Sequence, residues 1–201
     1  MTPIVPARRG EGAGCTFPVW VCIFAQANPM DITVKPARRK DEEFLWLMIY
    51  YAAHMELDGA EHTRAVKEHP YVCRYVRGWG IPDDIGVVGY ERGKRVGAVW
   101  SRLLTGENRT YGCVDDPTPE LAAAVLPEYK GRDIGTALLR AHFQTLKHLY
   151  RAVPPLVRTD NPAHRLYLRE GFVIRDTITN RVETKSYHMI RHFPPADKER
   201  T

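Results

Sequence analysis

The sequence has no Cys-x-x-Cys pair, no internal repeat, no compact basic cluster beyond residues 38–40 and no uninterrupted apolar stretch long enough to span a bilayer. Each absence excludes something. Cys15, Cys22, Cys73 and Cys113 show no metal-ligand spacing, so they read as reduced packing residues of a cytoplasmic protein. The net charge of +5 is mild and spread along the chain, which argues against nucleic acid as a partner and suits the phosphate of a substrate or cofactor. His188 and His192 stand four apart at the end of an expected strand with no third ligand nearby, so no metal is expected. His54, His62, His69, His142 and His148 read as surface or boundary residues. The apolar residues 17–25 are interrupted by Pro18 and too short for a transmembrane helix, so no membrane partner is expected.

With 201 residues and 44% apolar content, the chain can bury one substantial core, and one domain is expected. Residues 1–29 differ in composition from the rest. Arg8 and Arg9, the apolar 17–25 and Ala25-Gln26-Ala27 loosely imitate a signal peptide; the alternative, adopted here, is a disordered leader or an overlong start. The folded unit is expected over 30–193, with a flexible tail over 194–201.

Within that unit, helices and strands alternate. Residues 31–36 alternate as a first strand. Phe44, Leu47, Met48 and Tyr51 fall at helical spacing behind an acidic first turn, which predicts a helix over 41–55. A second helix is expected over 60–77, interrupted near Pro70. Residues 86–91 and 95–104 flank Arg92-Gly93-Lys94 as a hairpin. The polar stretch 105–118 reads as a loop. Residues 120–127 read as a buried strand, although alanine favours strands weakly. The wide apolar face of 134–150 predicts a helix lying against a sheet, closed by Pro154 and Pro155. A short strand at 156–159 leads to Asn161-Pro162, which open a helix ending at Gly171. Two strands at 172–175 and 183–191 finish the unit. Trp79, Tyr71, Tyr75 and Trp100 fit either a binding surface or the core.

The stretch LPEYKGRDIGTALL, residues 126–139, joins a strand to a long helix through a charged turn. A helix N-terminus offers unpaired amides and about half a positive charge, which attracts an anion such as a diphosphate. Lys130, Gly131, Arg132 and Gly135 add charge and close backbone approach. An ordinary surface turn with two glycines fits the same pattern.

Followed by DNPAHRLYLREGF, residues 160–172, that stretch resembles the GNAT superfamily of N-acetyltransferases. The family's [QR]-x-x-G-x-[GA] loop falls on Lys130 to Gly135, with Lys130 replacing Arg or Gln and Asp133 replacing the first motif glycine. Asn161, Ala163, Leu166, Tyr167, Gly171 and Phe172 lie at the family's second spacing. The resemblance implies an α/β (α+β) fold: a mixed, mostly antiparallel central sheet of six to seven strands flanked by about four helices. It implies acetyl-CoA as co-substrate, with the backbone of Val125, Leu126 and Pro127 pairing with its pantetheine arm. The amides of Lys130, Gly131, Arg132, Asp133, Ile134, Gly135 and Thr136 would hold the pyrophosphate, and Asn161 would contact the cofactor. Tyr167 would be the general acid at the thioester sulfur.

Glu120 is the first candidate for the base, because its position resembles that of the family's frequent strand carboxylate; strand alternation also allows it a surface role. Asp133 is expected to keep the loop at positive φ, with its side chain turned towards Arg132 or solvent. The expected activity is transfer of acetyl to a small-molecule or peptide amine by direct attack in a ternary complex, with a homodimer left open. The competing expectation is a catalytically silent acyl-CoA sensor or interaction module.

Overall fold

A computed structural model describes residues 32–55, 59, 63–110, 115, 117–180 and 183–194. The expected leader, most of the expected tail, Cys15, Cys22, Cys113 and His62 lie outside these residues. Eight strands and four α-helices are found among them, and the fold class is the mixed α/β one that the resemblance implies.

The first sheet is antiparallel, in the order β1 (Ile32–Pro36), β2 (Ile85–Glu91), β3 (Lys94–Arg102) and β4 (Glu120–Val125). The β2–β3 turn places Arg92 at φ 49° and Gly93 at φ 78°, the pair of left-handed residues that a two-residue hairpin loop demands. A bulge opposite Gly89 and Tyr90 leaves Val96 outside the pairing, and its carbonyl accepts the Leu126 amide at 2.9 Å instead. The second sheet is built on β8 (Lys185–His192), with β5 (Ala152–Val153) and β6 (Leu156–Arg158) on one side and β7 (Val173–Thr179) on the other. The two-residue β5 has no sequence signal of its own; β8 recruits it where the chain leaves the long helix.

Helices cover both faces. On one face α1 (Glu42–Ala52) and α2 (Thr63–Glu68) bury Leu45, Met48, Ile49 and Val66 against Val88, Ala98, Trp100 and Ala122. The expected 60–77 helix is divided: α2 stops before Pro70 and a 3₁₀ turn (Val72–Tyr75) follows, since proline cannot continue the amide ladder. Trp79 and Trp100 both belong to this core, at 1% and 0% exposure. On the other face α3 (Ile134–Leu149) buries Ile134, Leu138, Leu139, Phe143 and Leu146, and α4 (Ala163–Arg169) adds Tyr167. Gly171, at φ 84°, closes α4 as expected. Arg140 on α3 holds Glu170 just past α4 through two hydrogen bonds of 3.0 and 2.9 Å, so the two helices are pinned together.

One histidine differs from the surface or boundary reading. His142 faces inward from α3 and is 0% exposed, with Nε2 2.9 Å from Ser101 Oγ and Nδ1 unpartnered among the described residues. Burial lowers its pKa to about 3. His188 is buried on β8 beside Asp176, whereas His192 is exposed. Among the described residues no helix is long and apolar enough to cross a membrane.

Two stability predictions follow from this packing. A Cβ at Gly97 would sit 2.8 Å from the Ala124 carbonyl oxygen, which is backbone, whereas one at Gly89 would meet only a Leu138 methyl at 3.1 Å. Gly97→Ala is therefore expected to destabilise by about 1–3 kcal/mol and by more than Gly89→Ala, read by urea denaturation. For His142 the folded state keeps the neutral ring, so its contribution is complete above the unfolded pKa of about 6.5 and is lost as pH falls towards 3. Between pH 7 and 4.5, His142→Gln should lose about 2–3 kcal/mol less stability than the wild type. Equal losses would show that the ring is accessible to protons.

Candidate functional site

The site begins where the two sheets part. The Leu121 amide donates to the Pro154 carbonyl at 3.0 Å, and Leu121 forms a single parallel bridge with Pro155. Pro154 and Pro155 carry no amide hydrogen, so neither proline donates to β4, and the Leu121 amide is met by the Pro154 carbonyl. Beyond this bridge β4 and β6 diverge, and a cavity of about 630 Å³ opens between them.

Backbone alternation determines which groups face the gap. The even-numbered residues of β4 point their amides and carbonyls towards β3, as the Ala124 carbonyl does where it crowds Gly97. Ala123 and Val125 therefore turn theirs to the other side, the side on which Leu121 meets Pro154. Leu126 and Pro127 differ from Val125. The Leu126 amide is held by Val96, its carbonyl accepts Tyr129, and the Pro127 carbonyl accepts Lys130. Ala123, which was not among the expected residues, replaces them at the edge.

The strand then turns through a 3₁₀ segment (Pro127–Tyr129) into the loop before α3. Gly131 stands at φ 74° and Asp133 at φ 53°, so both adopt the left-handed conformation. Asp133 precedes the helix, yet its carboxylate caps nothing and is exposed. The first helical bond is from the Ala137 amide to the Asp133 carbonyl at 3.1 Å. The amides of Ile134, Gly135 and Thr136, one residue after another, thus have no acceptor within the helix. Arg132 turns from Asp133 to Glu91, with which it forms an ion pair, and stacks 5.3 Å from the Tyr129 ring centre. Gly135 has a packing purpose: a Cβ there would lie 3.0 Å from Leu166 Cδ2 on α4. Lys130 is exposed and makes no ion pair among the described residues.

Asn161 joins two walls of the cavity. Its Oδ1 accepts the Ala163 amide at 2.9 Å, opening α4, and its Nδ2 lies 2.5 Å from His54 Nε2 just past α1. With Oδ1 already accepting, the side-chain amide is the donor in the second contact and the His54 nitrogen the acceptor. Tyr167 lines the cavity from α4, its ring packed edge-on against Phe172 at 5.1 Å. Burial raises the pKa of its hydroxyl, so it stays protonated and able to donate at neutral pH.

Glu120 departs from the surface alternative. It is 1% exposed at the start of β4, where its Oε2 accepts the hydroxyls of Tyr75 and Thr110 and its Oε1 accepts the Thr110 amide at 3.3 Å. Tyr75 and Thr110 line the cavity in front of it. Thr110 lies in the polar stretch read only as a loop, where no pattern distinguishes a threonine that meets a carboxylate ten residues on. Tyr71 and Ile49 complete this wall.

Residues 82–174 match the family model described as an acetyltransferase (GNAT) domain. No curated protein matches the chain. Among solved structures, Ard1 from Thermoplasma volcanium superposes with a TM-score of 0.58 at 20% identity, covering 82% of this chain and 99% of that one. The PaiA N-acetyltransferase from Thermoplasma acidophilum, in complex with coenzyme A, gives 0.56 at 17% identity, over 82% and 100%. The aminoglycoside acetyltransferase AAC(6')-Ib, also in complex with coenzyme A, gives 0.56 at 18%, over 80% and 94%. Residues 82–174, which run from β2 into β7 and carry β4, the loop and Tyr167, thus match an acetyltransferase (GNAT) domain in a chain that has the GNAT fold.

Proposed function

We propose that the protein is an acetyl-CoA-dependent N-acetyltransferase that acts on a primary amine by direct attack in a ternary complex. The observation that carries this reading is the continuity of one groove: the gap-facing edge of β4 leads to the unbonded amides of α3, with Tyr167 between the walls. A long ligand with amides along its arm and phosphates at one end fits that order of donors and acceptors. Acetyl-CoA would supply the thioester carbonyl and a thiol leaving group.

In this reading the backbone of Ala123 and Val125 binds the arm as a neighbouring strand would. The pyrophosphate falls to the amides of Ile134, Gly135 and Thr136, with those of Gly131, Arg132 and Asp133 beside them and Lys130 for charge. Asn161 holds α4 in place through its cap and its bond to His54, so its contribution is to orient Tyr167. The Tyr167 hydroxyl donates a proton to the departing sulfur. A thiol of ordinary pKa near 8.5 needs limited assistance, so alignment of amine and carbonyl supplies much of the acceleration.

A second reading, an acyl-CoA-binding module without turnover, is favoured by one feature alone, the exposed carboxylate of Asp133 beside the loop amides. Thiol release from acetyl-CoA across a panel of amines distinguishes the two. Release with at least one amine supports the enzyme; a thermal shift with CoA but no release supports the module. Coenzyme A at millimolar concentration is expected to raise the melting temperature under both readings, and no shift would sink both.

Two variants probe the assigned groups. Tyr167→Phe keeps the ring against Phe172, so CoA affinity should stay within about twofold while turnover falls roughly tenfold or more. Unchanged turnover, with chemistry as the limiting step, would remove the acid role. At Asp133 the φ of 53° suits glycine and asparagine, and both remove a charge that caps nothing. Asp133→Gly and Asp133→Asn should each tighten acetyl-CoA binding, by under about 1 kcal/mol because the carboxylate is solvated. Weaker binding of both in calorimetric titration would mean that the carboxylate organises the loop.

A further inference from the structure

The carboxylate of Glu120 is buried without a cationic partner among the described residues. Its cross-strand partner Arg102 is engaged elsewhere, donating to Asp84 Oδ1 at 2.7 Å and to the carbonyls of Arg74 and Arg77 at 3.0 and 2.8 Å. Among the described residues the carboxylate meets two hydroxyls, Tyr75 and Thr110, and the Thr110 amide. Those two hydroxyls are themselves 2.9 Å apart. Both of their residues line the cavity, whereas Glu120 lies behind them. An amine in the cavity therefore encounters the hydroxyls before the carboxylate.

The mount of Tyr75 is rigid. Arg102 ties down the carbonyls on either side of it, and Trp100 Nε1 donates to the Tyr75 carbonyl itself at 2.9 Å. Both side chains project from β3, next to β4 in the same sheet. The position of the Tyr75 hydroxyl relative to Glu120 is thus set by the core and not by the ligand.

Resting on the acetyltransferase reading above, we propose that Tyr75 is a catalytic residue that takes the amine proton and relays its own to Glu120, with Thr110 as the positioning residue. The proton count balances. As the amine's electron pair forms the new C–N bond, an amine N–H bond breaks and that proton moves to Tyr75 Oη. The Tyr75 O–H bond breaks in concert and its proton moves to Glu120 Oε2, so no phenolate accumulates. Thr110 donates to the same Oε2 and its amide to Oε1, which holds the carboxylate in line with Tyr75. Glu120, which no substrate touches, acts through Tyr75.

The test uses the full chain, an amine that the wild type acetylates and three variants: Tyr75→Phe, Glu120→Gln and the double variant. Each single change should lower kcat at least about tenfold with KM for acetyl-CoA within about twofold, and should abolish the same limb of the pH–kcat profile. Because both act in one relay, the double variant should be no slower than the slower single. Losses that multiply, or a Tyr75→Phe enzyme that keeps half its kcat, would overturn the relay.

A second measurement needs neither turnover nor a folded Tyr75 variant. In a tyrosinate absorbance titration, Glu120→Gln should let one tyrosine ionise at lower pH than in the wild type, since the carboxylate no longer opposes a phenolate beside it. Identical titrations would show that carboxylate and phenol are not in contact, and would also overturn the relay. Failure of the wild type to acetylate any amine would instead sink the acetyltransferase reading and with it this proton step, whatever the titration gives.

Discussion

One interrupted pairing organises this molecule. Leu121 bonds to Pro154 and bridges Pro155, and there the contact between β4 and the second sheet ends. Had the strands zipped further, Ala123 and Val125 would have paired with β6 and no groove would exist. At the branch point the Pro154 carbonyl accepts the Leu121 amide and neither proline can donate, and Val157 and Tyr167 pack into the core on the far side of the opening. The groups left unpaired along β4 are costly to bury without a partner and remain tolerable because they border a cavity. A gap of this kind is a standing demand for an extended, hydrogen-bonding ligand.

The same strand delivers the chain to a helix terminus, and the loop between them is held by local means. Gly131 and Asp133 turn left-handed, Arg132 is drawn to Glu91 and Tyr129, and Asp133 leaves the first-turn amides uncapped. A conventional cap would have filled one of those amides with its own oxygen. Here the positive φ that Asp133 adopts, where a glycine is usual, turns its carboxylate away, and the anion-attracting end of α3 stays open.

Opposite the loop, the other wall of the cavity depends on burial. Glu120 starts β4 in a position from which side-chain alternation alone would allow either an inward or an outward direction, and the α1 side of the sheet takes it in. Tyr75 reaches it only because Pro70 breaks the preceding helix and Arg102 and Trp100 fasten the resulting turn to β3. The polar groups of Glu120, Tyr75 and Thr110 satisfy one another, which is the condition for keeping such a cluster inside a core.

Residues close in sequence were legible because local physics decides them. The apolar period of 134–149, the hairpin turn at Arg92-Gly93-Lys94, the Pro70 break, the glycine that ends α4 and the loop pattern of 130–135 each follow from a few neighbouring residues, and with residues 160–172 they point to the fold family. Tertiary structure alone decided which backbone groups stay unpaired, since that depends on where β4 leaves β6. It added Ala123 to the gap edge and directed Leu126 and Pro127 to internal bonds. It placed Trp79, Trp100 and His142 in the core, and gathered Tyr75, Thr110 and Glu120 from positions up to 45 residues apart. No sequence period records such encounters, because they are set by the crossing of distant elements and the burial that results.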